Sequence, residues 1–386
     1  MVPIDNHPSF MPGRQFYHHR RRYRCGSSCW ARYSVKDSSN DLYEKLDESF
    51  DYEGRLKGSA YTDYRCGFVS ILGAPNMGKS TLLNAILQED LCIATARPQT
   101  TRHAILGLLT TNTTQVCLVD TPGVIDTPAY KLQEGMMEAV VGAFHDADVL
   151  LVVTDLFSTP IPDDQLFLKV QKCQKPTIVC INKIDLVDKV NVDADDNKDK
   201  TVTVEQAVAL WRRILPNALA ILPVTASKGP DDVGVVALRR ILVGGPDVPA
   251  AIRDLGRPIP GMFPPGVKFL TDQQARELLP PSPPLYDEEI LTDRPERFIA
   301  SETIRAALFS SLKKELPYCC EVRITEFKEP KEDSTKPMIK ISATIFVERN
   351  SQKIIVVGKG GEQIKQVGIA AREKLEDFFG TQVRDK

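Results

Sequence analysis

The residues Gly73-Ala74-Pro75-Asn76-Met77-Gly78-Lys79-Ser80 complete the pattern Gly-x-x-x-x-Gly-Lys-Ser, and Thr81 opens the apolar helical stretch behind them. A loop of this kind aims backbone N–H groups at phosphate oxygens, and the N-terminus of the following helix adds a partial positive charge. Lys79 would reach the β- and γ-phosphates of a bound nucleotide, and the Ser80 hydroxyl would serve Mg2+. Asp120, in Asp120-Thr121-Pro122-Gly123, offers a carboxylate to the same cation, and the Gly123 N–H can approach the γ-phosphate. Thr100 and Thr101, in Pro98-Gln99-Thr100-Thr101-Arg102, are hydroxyls able to close over Mg2+ and the γ-phosphate and to release when that phosphate leaves. Of the two, Thr101 is favoured.

The base is read further along, at Asn182-Lys183-Ile184-Asp185. The Asp185 carboxylate can accept from guanine N1–H and from its exocyclic amine. Adenine presents no such donor pair, so the wrong base would leave a charge unpaired. Lys183 can lay its aliphatic stem along the nucleotide plane, Asn182 can tie neighbouring loops together, and Thr225-Ala226-Ser227 can support the base through backbone N–H groups. These five stations stand in the order of the small GTP-binding switch proteins, which makes GTP or GDP the expected nucleotide and Mg2+ the expected metal. A kinase or ATPase is disfavoured by Asp185.

One usual device is missing. Many such switches carry Gln directly after the glycine of Asp-x-x-Gly, to orient the attacking water. Here Val124 and then Ile125 follow Gly123, and neither side chain hydrogen-bonds water, so slow intrinsic hydrolysis is expected. Asn76 is similar to the asparagine with which some GTPases hold K+ in place of an arginine finger, which makes it the candidate K+ ligand.

Each of these residues needs an element behind it. The apolar runs Phe68–Leu72, Val116–Val119 and Ile178–Ile181 read as buried strands that end at the phosphate loop, at Asp120 and at Asn182. Residues 65–243 are therefore expected to form an α/β P-loop GTPase domain, a mostly parallel sheet with helices on both faces. The chain has 386 residues, long enough for a second domain, and its formal net charge of −2 does not by itself point to nucleic acid. No partnership with DNA is expected. Nine cysteines lie scattered without a Cys-x-x-Cys pair, which suits reduced thiols better than a disulfide framework. No apolar run approaches the roughly 18 residues of a membrane span.

The ends and joins differ in composition. Residues 1–36 carry seven Arg and Lys, from Arg14 to Lys36, against Asp5 alone, with several Ser and aromatic residues. That balance resembles an organellar transit peptide, with a basic arm that contacts RNA as the alternative, and residues 37–64 read as an acidic, flexible leader. The expected location is a mitochondrial matrix or plastid stroma, the cytoplasm being the alternative. Residues 191–200 read as a solvated loop. From 244 to 290 Gly and Pro are too dense for helix or central strand, so this stretch is expected to be an interdomain linker holding at most a short helix near Thr271–Leu279.

Residues 291–386 read as helix, strand, strand, helix, glycine loop, helix. Ser301 is a plausible cap for the first helix, with Ile304, Leu308 and Leu312 on its apolar stripe and Leu316-Pro317 at its end. The glycine loop is Gly358-Lys359-Gly360-Gly361, whose bare backbone can approach a sugar–phosphate chain while Lys359 adds charge. In this setting a Gly-x-x-Gly loop is how a KH domain clamps about four nucleotides of single-stranded RNA. The fold expected is thus the GTPase domain followed by a smaller α+β KH domain.

With both halves read, the chain resembles the Era GTPases. The resemblance rests on the phosphate loop, Pro98–His103, Asp120–Gly123, Thr292-Asp293-Arg294-Pro295-Glu296-Arg297-Phe298 and Val357–Gly361, and covers the chain from about Gly67 onward. It implies a GTP-switched factor that binds the single-stranded 3′ region of small-subunit ribosomal RNA on the pre-ribosomal particle and assists its maturation, often with peripheral membrane contact. It also implies that the missing Gln and the Asn76-type residue are family traits. Two departures stand out. The Gly/Pro-rich stretch from Gly244 to Leu278 is longer than the family's linker, and the chain stops near Phe378–Arg384, where the family's last KH strand would begin. The second departure predicts a truncated KH domain with an open sheet edge. A regulatory GTPase acting at a membrane or in division control, with the second domain used for protein contacts, is the alternative function.

Overall fold

The structure, a computed structural model, describes residues 63–94, 97, 100–125, 131–157, 165–187, 203–244, 263, 267–330 and 338–385. The transit-like tail and leader (apart from Asp63 and Tyr64), Pro98, Gln99, the polar stretch 191–200 and most of the first half of the expected linker lie outside the described residues.

Six strands form the first sheet in the order β2-β3-β1-β4-β5-β6. They are β1 (Arg65–Leu72), β2 (Ile105–Thr110), β3 (Thr114–Asp120), β4 (Val149–Asp155), β5 (Thr177–Asn182) and β6 (Ala220–Pro223). All neighbours are parallel except β2 and β3. Alternate residues of the central strands feed two cores, as the two-residue period of a strand requires. Val69, Ile71, Leu151, Val153, Ile178 and Cys180 pack on one face with helices α1 (Lys79–Leu87) and α5 (Val233–Val243). Leu72, Leu150, Val152, Val179 and Ile181 pack on the other with α2 (Lys131–Asp146), α3 (Gln165–Lys172) and α4 (Val204–Ile214). The loops after β1, β3 and β5 all leave from the carboxyl edge of the sheet, where open α/β sheets bind ligands.

The second half of the expected linker is not free. Lys268 bridges to Ile221 beside β6, and Pro281 bridges to Arg65 at the start of β1. Leu278, Leu279 and Leu291 enter the first core. The fully buried Gln115 on β3 holds this segment with its side chain. Its amide oxygen accepts from the N–H groups of Leu285 and Tyr286 at 2.8 and 3.0 Å, and its amide nitrogen donates to the Tyr286 carbonyl at 2.9 Å. Proline density excludes regular structure but not an extended path along a sheet, so residues 267–291 belong to the first domain's surface. The short helix expected there is α6 (Asp272–Arg276), capped by Thr271 and Gln274.

The second domain contains α7 (Glu296–Ser311), β7 (Cys320–Lys328), β8 (Met338–Val347), α8 (Asn350–Val357), α9 (Glu362–Phe379) and β9 (Gln382–Asp385). Ile304, Leu308, Leu312, Val322, Val356, Val367 and Ala371 form its core. Three expectations are corrected. Ser301 lies inside α7 and its hydroxyl donates to the Phe298 carbonyl; the helix starts earlier because Pro295 presets the backbone before Glu296. The helix also ends at Ser311, before Leu316-Pro317, which lie in a separate 3-10 turn. The last strand is present: β9 pairs parallel to β8 over Met338–Ile341, and Val383 buries its side chain against Ile339, Ile341 and Leu375. The sheet edge is thus covered along the first four residues of β8. Among the described residues no helix is long and apolar enough to cross a membrane.

Candidate functional site

The phosphate loop joins β1 to α1. Gly78 caps α1 with φ of 85°, and a Cβ there would lie 2.3 Å from the Asn182 amide nitrogen, so both backbone and space require glycine. Asn76 also lies in the left-handed region, at φ of 64°, and its side chain is exposed at the loop's tip. The buried Lys79 ammonium turns back under the loop and donates to the carbonyls of Gly73 and Ala74, each at 3.0 Å. Burial pulls its pKa down to about 8, against the pull of the Asp120 carboxylate in the opposite direction.

Ser80, Thr101 and Asp120 meet beside it. The Ser80 hydroxyl donates to Asp120 Oδ2 at 2.6 Å, and Thr101 Oγ1 lies 3.0 Å from the Ser80 hydroxyl and 3.5 Å from the same carboxylate oxygen. Asp120 is fully buried, and its Oδ1 has no hydrogen-bond partner among the described residues. Burial raises the pKa of this carboxyl, while Lys79, Ser80 and Thr101 oppose the rise. A buried carboxylate oxygen without a hydrogen-bond donor in place, beside the Ser80 and Thr101 hydroxyls and with the Cys92 thiol close by, suits a hard divalent cation such as Mg2+. Thr100 is also buried, one residue from this cluster.

Asn182, at the end of β5, ties the loops together. Its amide donates to the Met77 carbonyl at 2.9 Å, and its oxygen accepts from the Ala226 N–H at 3.0 Å. Lys183 adopts φ of 60° and pairs with Asp155, at the end of β4, at 3.2 Å. Asp185 is exposed in the turn that follows. The expectation for Thr225 and Ala226 needs correcting: their N–H groups are engaged within the protein, by Asp232 Oδ1 and Asn182 Oδ1, rather than directed at a base. Ser227, the third member, is exposed. Sequence reasoning missed Asp155 and Asp232; the second was readable as the acidic residue just before α5, whose first N–H groups it caps.

Gly123 is followed by Val124, whose N–H donates to the Gly73 carbonyl and whose side chain packs into the second core. The Ile125 N–H meets the Met137 sulfur at 3.3 Å. This segment is therefore anchored by the backbone and by apolar contacts.

In the second domain, Gly358, Gly360 and Gly361 all have positive φ, and Lys359 rides on the turn between α8 and α9. On α8 just before this loop, Ile354 and Ile355 are 74 % and 60 % exposed, whereas Val356 is buried. Ile369 on α9 is exposed as well. A glycine loop beside bare isoleucines offers backbone and charge to phosphates and an apolar wall to unstacked bases. The sequence signal was the run Ile354-Ile355-Val356-Val357, because a two-turn helix on a domain's surface cannot bury all its sides.

Comparison with known proteins agrees with this layout. Residues 68–183 match the family model described as 50S ribosome-binding GTPase, and residues 315–385 match the KH domain model. The GTPase Era of Caldanaerobacter subterraneus subsp. tengcongensis is 34 % identical over 321 residues, 83 % of this chain and 90 % of that protein. A protein from Oryza sativa subsp. japonica named GTPase ERA-like, chloroplastic, is 31 % identical over 355 residues, 89 % of this chain and 70 % of that one. Among solved structures, Era in complex with MgGDPNP and nucleotides 1506–1542 of 16S ribosomal RNA has a TM-score of 0.63 at 28 % identity, covering 84 % of this chain and 92 % of that one. Aquifex aeolicus Era bound to GDP and AlF4− gives the same TM-score and identity, covering 83 % and 92 %.

Proposed function

The chain belongs to the Era family of GTPases, and from that premise we propose that it is a GTP-driven switch that binds small-subunit ribosomal RNA through its KH domain and assists small-subunit assembly. The observation that carries this reading is the pairing, on one chain, of two sites of different chemistry. One is the phosphate loop with the unsatisfied Asp120 oxygen, and the other is the Gly358–Gly361 loop with its exposed isoleucines. The relative solved with MgGDPNP and a 16S ribosomal RNA segment supports assigning both ligand classes here.

In this reading Gly73–Thr81 and Gly123 grip the phosphates, Asp185 selects guanine, and Lys183 covers its plane with Asp155 holding the ammonium end. Ser80, Thr101 and Asp120 would hold Mg2+, which supplies neutralisation of the phosphate charge. Asn182 sets the distance between phosphate floor and base wall. Ser227 is left to face the base, because Thr225 and Ala226 serve Asp232 and Asn182. The Lys79 ammonium, already desolvated, loses little further hydration when it meets phosphate. No side chain of Val124 or Ile125 can direct water, so intrinsic turnover is slow, and the exposed Asn76 would be the residue to hold a K+ ion that could supply positive charge there. Single-turnover hydrolysis in KCl against NaCl tests that assignment: faster turnover in KCl supports it and equal rates remove it.

The first domain runs 65–243 with residues 267–291 laid against it, and the RNA-binding part runs from 292 onward. The basic amino-terminal stretch and the chloroplastic relative support action in a plastid, whereas the bacterial relatives carry no such pointer. The function is tested by crosslinking the GTP-locked chain in cells and sequencing the attached RNA. Enrichment of the 3′ region of a small-subunit ribosomal RNA supports the reading, and a spread over unrelated RNA, or none, contradicts it.

A further inference from the structure

The loop that carries Thr100 and Thr101 is also where the two domains touch. The Arg97 guanidinium donates to the Leu312 carbonyl at the end of α7. Arg102 donates to the Tyr318 carbonyl at 2.9 Å and to the Glu321 carboxylate at 3.3 Å. The Ala104 carbonyl accepts from Arg294, and the His103 ring meets Phe298 edge-on, with centroids 6.0 Å apart. Four positions on eight residues of one domain's loop are thus fastened to the other domain.

Arg102 differs from the rest in being adjacent to Thr101, whose hydroxyl rests on Ser80 and Asp120. Successive Cα atoms are about 3.8 Å apart, so the clamp on the Arg102 side chain restrains the backbone that also carries Thr101. The clamp itself is asymmetric. The Arg102 side chain is 10 % exposed and the Glu321 side chain 66 %, so the shielded bond to the Tyr318 carbonyl is the stronger half and the ion pair adds little.

We propose that Arg102 is a positioning residue: by gripping Tyr318 and Glu321 of the KH domain it holds Thr101 over Ser80 and Asp120, and so links KH docking to retention of a Mg2+-bound nucleotide that carries a γ-phosphate. This rests on the nucleotide site read above. Linkage makes the effect reciprocal: a ligand that draws the KH domain off this loop loosens the nucleotide's γ-phosphate end, and a nucleotide that fixes Thr101 steadies the docked KH domain.

The test follows release of fluorescent mant-GMPPNP and mant-GDP from the full chain by stopped flow, across a MgCl2 titration. It is paired with amide hydrogen exchange over residues 100–104. Arg102→Ala is expected to speed mant-GMPPNP release about tenfold and to raise the Mg2+ needed for retention by a similar factor, within the usual range for coupled sites. Mant-GDP release should change by less than about threefold, since it lacks the phosphate that Thr101 serves. Arg102→Lys should fall between, because an ammonium lacks the planar fork, and Glu321→Ala should stay within about twofold. Arg240→Ala, which breaks an arginine–carboxylate pair with Asp272 elsewhere, should match the wild type. The proposal is overturned if Arg102→Ala leaves Mg2+ dependence and exchange unchanged, or if both nucleotides are released faster by the same factor, as a merely structural contact would give. Should the alanine variant fold poorly, an unchanged Arg102→Lys overturns it equally. A wild-type chain that retains neither nucleotide removes the nucleotide-site reading itself and this inference with it.

Discussion

Replacing Asn182 by alanine removes a side chain that bonds both the phosphate loop and the Thr225–Ala226 loop. Its amide bonds Met77 and Ala226 at 2.9 and 3.0 Å, and both Asn182 and Ala226 are 3 % exposed. In Asn182→Ala the buried Ala226 N–H loses its acceptor, at a cost of about 1–3 kcal/mol, and the half-buried Met77 carbonyl loses a bond worth about 1 kcal/mol because water can reach it. The expected loss of stability is therefore roughly 2–4 kcal/mol. Trp211, 4 % exposed in the second core, reports unfolding of this domain, and Trp30, the other tryptophan, is removed as Trp30→Phe. Urea unfolding without nucleotide should show a lower midpoint at an unchanged slope. Guanine nucleotide affinity should also fall at least about tenfold, since about 1.4 kcal/mol of lost alignment suffices for that. Asn182→Asp adds a pH dependence. An ionised carboxylate still accepts from Ala226 but faces the Met77 carbonyl without a proton, whereas the protonated acid can donate to it. Its folded-state pKa should be raised, so stability is present at acid pH and lost as pH rises through that value. A destabilisation of Asn182→Ala below about 0.5 kcal/mol, or a pH-independent Asn182→Asp, would mean that Asn182 does not tie the two loops together.

Three further outcomes are expected. Burial lowers Lys79 to about 8 from an ordinary 10.5, so between those values the unfolded chain binds more protons. Nucleotide-free stability should therefore rise from pH 8 toward 10.5, by on the order of 3 kcal/mol at most, and the rise should vanish in Lys79→Met when followed by the same Trp211 fluorescence. Asp185→Asn trades an acceptor for an amide and should cost GTP about 2–4 kcal/mol while favouring xanthosine triphosphate, which carries a carbonyl where guanine has its amine; competition calorimetry reads both. Gly360 has open space around its Cβ position but φ of 63°, which strains a side chain by about 1 kcal/mol and which Asp tolerates better than most residues, so Gly360→Asp with Lys359→Ala should still fold, weaken single-stranded RNA binding about tenfold or more, and flatten its salt dependence by about 0.7–1 in log–log slope.

Much of this was legible because phosphate and base recognition fix residue types at strand ends. Gly78 must be glycine since Asn182 occupies the space a side chain would take, and the strands that deliver Asp120 and Asn182 are continuous apolar runs. The sequence could not show that Thr225 and Ala226 spend their N–H groups on Asp232 and Asn182, because backbone partners depend on tertiary placement. Residues 267–291 misled for a related reason. Proline density tells against helix and central strand but is silent on an extended segment held by Gln115 from another strand. The last strand was missed because four residues with one buried apolar side chain, Val383, give no period to read. The interdomain clamp at Arg102 joins residues more than two hundred positions apart, and no local pattern announces it.

In the proposed function, one chain couples a guanine-nucleotide site to a ribosomal RNA site. That coupling is read by titrating a labelled single-stranded RNA from the 3′ end of small-subunit ribosomal RNA with the full chain, at fixed salt, in Mg2+ with GMPPNP, GDP or AMPPNP. Tightest binding with GMPPNP, weaker binding with GDP, and no response to AMPPNP are the expected results. Equal RNA affinity in all three, or none in any, would contradict the account.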